Sequence, residues 1–533
     1  MAAPAYTEDL TDITLCESTT GFSAYGGGGA GLGVGIDFAI QGTNGLDKQV
    51  SGASGAEKGA MFNDATVTLG ADDHVFVWLF CGTPGLMDTL ANRGMHVSIG
   101  TSTTAFNKYA VNGSNTLPEA TYQPYAIRYT TSTPSPGSQV GTPGATPDEF
   151  GGGLNVTGTS KGINLGLDAI RYGTGGYITA GDATTPATID GFATQDESGS
   201  NKWGILFRQE GAYKWQGRFV VGQNNAGTAT AAHMDDVESA TIFIRDTPHS
   251  LTDFTQWIID HASTVFNQSN KTFTSLGTNN PGKVVINNAH ADSTGWDTCV
   301  WNDYGTIQGH VNVDYINCSM NRCDQVDQNG GTFTDGVLNA TIATAAMLGS
   351  NPALVTGYTF ISDGSSHGYE CDTAGTYSWS GNFDEGYTGT RGSNLVASSG
   401  STNAMFYNNS GGLITLNVAA GGQAPSVRNA AGSTTQVNND TLVTFDTMKD
   451  NSEVRVFNKS TGAEIAGIEN ATAGTTDDRS FAWSAAAALE VEYKVHNFLD
   501  AAVKYETIHN LSFIVPNNDV TIDIKQRRDL NVQ

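Results

Sequence analysis

The side chains best suited to chemistry lie between residues 335 and 387. They are the carboxylates Asp335, Asp363, Glu370, Asp372, Asp384 and Glu385, set among the aromatics Tyr369, Tyr377, Trp379 and Tyr387. Two acids facing one solvent groove are what cleavage of a glycosidic bond requires, one to protonate the leaving oxygen and one to act as nucleophile or base. Aromatic faces nearby would stack on sugar rings. If the segment forms stacked β-coils, strands ~4.8 Å apart could bring two carboxyls within the ~5–9 Å such chemistry uses. The competing explanation is turn chemistry, because Asp363-Gly364 and Asp384-Glu385-Gly386 are common turn sequences. The turn explanation has the greater weight, so no residue is assigned a catalytic role. Asp363, Glu370, Asp372, Asp384 and Glu385 remain catalytic candidates under an enzymatic alternative, and Tyr369, Tyr377, Trp379 and Tyr387 remain candidates for stacking on glycans.

Other motifs are weaker. Gly26, Gly28 and Gly31 match G-x-G-x-x-G, but a glycine-rich strand follows where a dinucleotide site needs a helix. Asp72-Asp73 and Asp235-Asp236 lack EF-hand spacing, the histidines form no HxH or HExxH pair, and no GxSxG elbow occurs. Neither a metal nor a cofactor is expected. Cys16, Cys81, Cys299, Cys318, Cys323 and Cys371 are scattered without a CxxC pair and read as free buried thiols.

Composition says which elements must carry these residues. The chain has 65 glycines in 533 residues but only 14 prolines, and 15% of its residues are charged, against a usual ~25%. Abundant Thr, Ser, Asn and Gly, with β-branched and aromatic residues among the 38% hydrophobic, indicate many short strands and tight turns. A formal net charge of −27 without a basic cluster argues against a nucleic-acid partner. MAAPAYTEDLTDIT has neither the basic nor the apolar region of a signal peptide, and no apolar run reaches the ~20 residues of a membrane helix. Synthesis in a cytoplasm and no membrane insertion are therefore expected.

Three textures follow one another. Residues 1–240 show irregularly spaced strand-like runs with long loops, the pattern of a jelly-roll or lectin-like β-sandwich. HVFVWLF, almost wholly apolar, predicts a central strand buried on both faces. Across 241–437 short apolar runs, apart from the last pair, recur roughly 19–28 residues apart, close to solenoid periods, which predicts a parallel β-helix. In GHVNVDYINCSM, Val311, Val313 and Tyr315 alternate with polar residues, and Ile316 and Cys318 continue after a phase shift, as at a sharp corner. Residues 250–266 also carry a helical spacing through Phe254, Trp257, Ile258 and His261, but their surroundings favour a first coil. Over 438–533, seven alternating segments from TLVTFDTM to DVTIDIKQ predict an Ig-like β-sandwich. The fold class is thus all-β.

The segments ESTTGF, GIDFAIQGTNGLDKQVSG and VFVWLF, the Asn/Gly/Ser-rich coils and the closing DNSEVRVFNKSTGAEIAGIENAT together resemble virion surface proteins of environmental, especially marine, tailed bacteriophages. The resemblance is one of modular order. It implies a lectin-like sandwich, a right-handed β-helix and a small β-sandwich, and it transfers no functional residue. It further implies a structural, non-enzymatic component of the virion surface, as capsid decoration or as fibre or spike. The partners it implies are copies of itself, as a homotrimer, other virion proteins, and host surface polysaccharide. A tailspike polysaccharide depolymerase built on the same scaffold is the alternative.

Overall fold

The computed structural model describes residues 3–528 apart from 27–30, 51–55, 114–121, 157–162, 198–204, 210, 225–228, 246–248, 252–253, 277–281, 340–343, 390–402, 420–421, 450–451, 469–478, 487–488, 498–504 and 517–518. Strands make up 58% of the chain and helix 4%, so the all-β expectation holds. The chain divides into two compact units, Met1–Asp324 and Gln325–Gln533.

In the first unit, HVFVWLF lies within strand His74–Cys81, and every residue of that strand but Phe80 is buried. It pairs antiparallel with Gln123–Ile127 and with the long strand Ile163–Thr179. The long strand also pairs antiparallel with Gly45–Val50 and Ala5–Thr14. A second antiparallel sheet runs in the order Gly137–Val140, Ala105–Asn112, Met95–Ser102, Glu149–Val156, Ala56–Asn63, Phe22–Tyr25. The two sheets close on one core containing Val75, Val77, Leu79, Val97, Ile99, Phe150, Leu165 and Leu167. Contact is close enough that a Cβ on Gly152 would stand 2.7 Å from a Leu79 methyl. Trp78 faces the other way and packs edge-on against Phe207 at 4.8 Å. Burial on both faces thus follows from the unbroken apolar run.

The same long strand begins a parallel pattern, with Gly175 in register with Arg218. Three parallel ladders follow. One runs through Arg218–Val221, Gln256–Asp260, Lys283–Asn288 and Thr306–Gln308. Another runs through Ala212–Trp215, Ala240–Arg245, Lys271–Leu276, Val300–Asn302 and Ser319–Asn321. The third contains His233–Asp236, Val265–Ser269, Gly295–Asp297 and Tyr315–Ile316. Each strand pairs with the third one along, which is the connectivity a three-sided coil requires. Parallel pairing starts before residue 241. A short apolar run such as Phe219-Val220-Val221 suits a strand whether its neighbours are parallel or antiparallel, so the sequence pattern does not mark the change.

Apolar side chains line up inside these coils. Ile242, Phe273, Trp301 and Met320 are in register on successive strands, and all four are fully buried. Phe273 and Trp301 stack at 5.8 Å with an 8° interplanar angle, and Trp296 meets Trp301 edge-on at 5.2 Å. Corners are made by non-glycine residues in left-handed conformation: Asn270, Thr298 and Asn317 at φ of 57°, 53° and 52°, and Asp303 and Arg322 both at 53°. Such a residue reverses the chain within one position, which produces the phase shift seen in GHVNVDYINCSM. There Val313 and Tyr315 are fully buried, but Val311 is 68% exposed, because it sits in the turn closed by the Val313 N–H donating to the His310 carbonyl at 2.8 Å.

Where the helical alternative lay, residues 256–260 and 265–269 are strands. The α-helix among the described residues of this unit, Ile189–Glu197, lies elsewhere. The six cysteines are free and buried.

The second unit has parallel ladders of its own. One links Gln325–Asp327, Ala345–Gly349, His367–Cys371, Phe406–Asn408 and Val427–Asn429. A second links Val337–Asn339, Thr359–Ile361 and Phe383–Glu385. A third links Gly375–Trp379, Leu413–Val418 and Thr434–Met448. After residue 439 that last strand turns to antiparallel pairing with Arg479–Ala486 and parallel pairing with Val520–Asp523. Facing it is an antiparallel sheet of Glu464–Ile468, Ser452–Asn458, Glu490–Asn497 and Ile508–Ile514. Val443, Phe445, Val454, Val456, Val491 and Val495 fill the space between. All seven alternating segments expected after residue 438 contain these strands, and they form a sandwich.

Candidate functional site

The ladders of the second unit sort the candidate residues by side-chain phase. Tyr369 and Trp379 point inward and are 0% and 1% exposed. Tyr369 stacks on Phe406 at 5.8 Å, Trp379 meets Tyr369 edge-on at 6.2 Å, and the Tyr369 hydroxyl donates to Gln328 Oε1 at 2.8 Å. These two rings are core and present no face to a sugar, contrary to the sequence expectation. Only a one-residue phase separates them from their solvent-facing neighbours. Tyr377 is half-buried, and its hydroxyl donates back to the carbonyl of Thr373 at 3.0 Å.

Asp363 is a turn residue. Its Oδ1 accepts the backbone N–H of Ser365 at 2.7 Å and of Ser366 at 3.1 Å, and its Oδ2 accepts the Ser365 hydroxyl at 2.8 Å. Burial is the largest single influence and raises its carboxyl, but the hydrogen bonds from Ser365 and Ser366 together outweigh it and hold the group below the ordinary range. Such a group stays ionised with its lone pairs taken, which suits a cap and not an acid catalyst. Asp335 occupies a left-handed corner at φ 53°. Asp384 takes the inward position, in register with buried Phe360 and Leu338, while its neighbours Phe383 and Glu385 are exposed.

Tyr387 packs beside this corner at 8% exposure. Its hydroxyl is pushed up by burial and by the charges of Asp363 and Asp384. Asp363, Asp384 and Tyr387 therefore gather at one corner, where the Ser362 N–H donates to the Glu385 carbonyl at 2.9 Å.

Glu370 and Asp372 belong to a different ladder. The Glu370 carboxylate accepts from Asn409 Nδ2 at 2.7 Å, and Asp372 accepts the Thr373 hydroxyl at 2.9 Å. Asp372 also acts on an acid that the sequence did not single out. Asp327 is half-buried, and its carboxyl is raised by burial and by the Asp372 charge against a hydrogen bond from Asn329. The outward column Asp327, Leu348, Glu370, Tyr407 is fixed by strand register. Spacing gave no hint of Asp327, because 45 positions separate it from Asp372.

In the first unit, Ser98, His96 and Glu57 come together in a buried polar group. The Tyr25 hydroxyl stands between the first two, 2.6 Å from Ser98 Oγ and 3.0 Å from His96 Nε2. That interposition blocks direct Ser-to-His proton transfer, and Tyr25, His96 and Ser98 are all buried. Glu57 is 2.5 Å from Lys108 Nζ and 3.4 Å from His96 Nε2. The group ties edge strand Phe22–Tyr25 across its sheet. Gly59 and Gly153 make the crossing possible, since a Cβ on either would lie 2.2 Å from the Tyr25 hydroxyl oxygen. Its chemistry is structural. Gly28 of the glycine motif lies outside the described residues. Among the described residues, no group of three or more His, Cys, Asp or Glu is placed to hold a metal ion, and no helix is long and apolar enough to cross a membrane.

No family model matches the chain, and no curated protein does. Among solved structures, the chain is similar to the family 11 carbohydrate-binding module of the cellulosomal cellulase Lic26A-Cel5E of Clostridium thermocellum. That match has 11% identity, covers 31% of this chain and 93% of the module, and has a TM-score of 0.22. A family 11 module from Clostridium thermocellum in complex with a β-1,3-1,4-mixed-linked tetrasaccharide matches at 13% identity, over 32% of this chain and 96% of that one, with a TM-score of 0.23. The agarase AgWH50C matches at 11% identity over 31% of this chain and 24% of its own, with a TM-score of 0.19. Likenesses this local and this distant assign the chain to no family.

Proposed function

We propose that this chain is a structural component of a bacteriophage particle surface, as capsid decoration or as fibre or spike, and that it makes glycan contacts there. The observation that carries the proposal is the registered inward column, Ile242, Phe273, Trp301 and Met320. A coil whose largest side chains are committed to holding its neighbours resists unravelling and proteolysis, as a particle's exterior must. The modular order of the sequence supports the phage assignment. A surface rich in hydroxyls and amides, with 15% charged residues, suits weak contacts to host polysaccharide. Self-association as a trimer and docking to other virion proteins belong to the same proposal. Gold-labelled antibody against the chain, imaged on purified particles, tests it. Label over the shell identifies decoration, label at one pole identifies a tail part, and unlabelled particles overturn the proposal.

One observation favours a second function, polysaccharide cleavage: the half-buried carboxyl of Asp327, raised by burial and to a smaller extent by the Asp372 charge. A depolymerase would release reducing ends from host capsule and lose that activity in Asp327→Asn or Asp372→Asn. Equal release by both variants and the parent would remove this function.

A further inference from the structure

The first unit holds a cavity of about 430 Å³ where antiparallel strand Ala5–Thr14 lies along Ile163–Thr179. That volume falls within the ~300–1,000 Å³ of small-molecule sites. None of its lining residues was singled out by the sequence. Thr7 stands opposite Tyr177, and Asp9 opposite Gly175. Directly opposed residues of an antiparallel pair share a face, so Thr7, Asp9, Tyr177 and Thr179 project to the same side. The far wall is formed by Gln223 and Thr230. Their backbones are locked by reciprocal hydrogen bonds of 2.8 and 2.7 Å. The long strand is fixed in turn by parallel pairing to Arg218–Val221. The walls therefore rest on bonded backbone, and with Thr7, Asp9 and Thr230 exposed the site is a cleft open to solvent.

The chemistry of the lining is specific. It offers the hydroxyls of Thr7, Thr179 and Thr230, the amide of Gln223, the carboxylate of Asp9 and one half-buried aromatic ring, Tyr177. Among the described residues, lysine and arginine are absent from it, so an anionic ligand would meet the Asp9 carboxylate without a counter-charge. Hydroxyls and carboxylates together serve a ligand bearing many O–H donors, and the ring offers a surface for its C–H face.

We infer that this cavity binds an uncharged sugar unit of a polysaccharide, with Tyr177 as stacking platform and Asp9 with the threonine hydroxyls as hydrogen-bond partners. The inference rests on the glycan contact proposed above and gives that contact a place. Saturation-transfer NMR on the full chain with maltotriose and with a hexuronate trisaccharide, and titration calorimetry with calcium ion alone, test it. The wild-type protein should take up maltotriose and leave the hexuronate free. Thr7→Arg fills the cavity from an exposed strand position and should weaken maltotriose binding at least tenfold, as should Tyr177→Ala. Tyr177→Phe keeps the ring and should retain binding. Thermal melting of each variant separates lost binding from lost folding.

Undiminished maltotriose binding by a folded Thr7→Arg protein overturns the cavity but leaves glycan contact standing elsewhere. If the wild type binds neither sugar, the cavity assignment and the glycan contact both fall, and labelling of particles still decides the structural role. Calcium uptake that Asp9→Asn abolishes, without sugar binding, makes the cavity a cation site and overturns the inference.

Discussion

Replacing Trp301 by alanine should damage the first unit more than almost any other single change in its coils. The indole is fully buried, stacked on Phe273 at 5.8 Å, edge-on to Trp296 at 5.2 Å and tilted against Tyr315 at 5.8 Å. Its carbonyl accepts from Cys323 Sγ at 3.7 Å in the next coil. Truncation removes the ring and leaves a cavity that the registered strands on either side cannot collapse into, so a loss of ~3–5 kcal/mol is expected. Trp301→Phe should cost under ~2 kcal/mol, since it keeps the stack. The indole N–H it removes has no hydrogen-bond partner, so no bond is lost with it. The assay is urea unfolding followed by hydrogen exchange in Lys271–Leu276, Val300–Asn302 and Ser319–Asn321. The alanine variant should lose protection in all three together, because each strand is the template for the next. A cost below ~1 kcal/mol, or loss confined to residues 300–302, would show that the column is not what holds these coils.

Other consequences concern charge. Burial would raise Glu57, but His96 and then Lys108 outweigh it and bring it to about 2. Its contribution, about 3 kcal/mol, is therefore present above pH ~4.5 and lost as pH falls through about 2, and Glu57→Gln should flatten that acid limb of a melting curve. Asp168 is pushed the other way, to about 7, by burial that overrides the backbone N–H groups of Gln41, Ile40 and Ala169 and the charge of Arg171. It stabilises the fold fully below pH ~4 and loses up to ~1.4 kcal/mol per pH unit as pH rises through 7; Asp168→Asn should remove that slope. Lys271 is fully buried, donating to Asp236 Oδ1 at 2.9 Å and to the carbonyls of Asp236, Ser269 and Glu238. Lys271→Met strands the Asp236 carboxylate and should cost ~3–5 kcal/mol by denaturation. Hydrogen exchange should rise in Ile189–Glu197, whose first N–H donates to that carboxylate at 2.9 Å.

Legibility of the sequence varied with the kind of signal each element carries. The terminal sandwich was readable because Val454, Val456, Val491, Tyr493 and Val495 alternate with solvent-facing residues between turns. Strand His74–Cys81 was readable from its unbroken apolar run. Coils left a weaker trace. Their corners use Thr298, Asp303 and Arg322 in left-handed conformation, and of these only aspartate has a side chain that commonly favours it. Tyr369 and Trp379 lie inside the core while Tyr377, on the same strand face as Trp379, stays half-buried, and the His310–Val313 turn puts Val311 on the surface while Val313 is buried. Contacts that join distant segments gave no local signal at all. The alignment of Asp327 with Leu348 and Glu370 across three strands is one case, and the Thr7, Tyr177 and Gln223 cleft is another. In both, the residue types are ordinary and only the strand register brings them together.

The most direct test of the coil architecture is cross-linking by register. Thr274 and Asn302 are paired on adjacent strands, with Asn302 Nδ2 donating to Thr274 Oγ1 at 3.3 Å, and Asn321 follows one coil further on. All three are half-buried and project opposite to the Phe273, Trp301 and Met320 column. Mild oxidation of Thr274→Cys/Asn302→Cys should give a disulfide, because adjacent strands keep the Cα atoms within the ~4.4–6.8 Å a disulfide spans. Thr274→Cys/Asn321→Cys should give none, at a separation of ~9.6 Å across two strand spacings. Cross-linking of the second pair, or of neither pair in folded protein, would contradict the parallel coil on which the structural assignment stands.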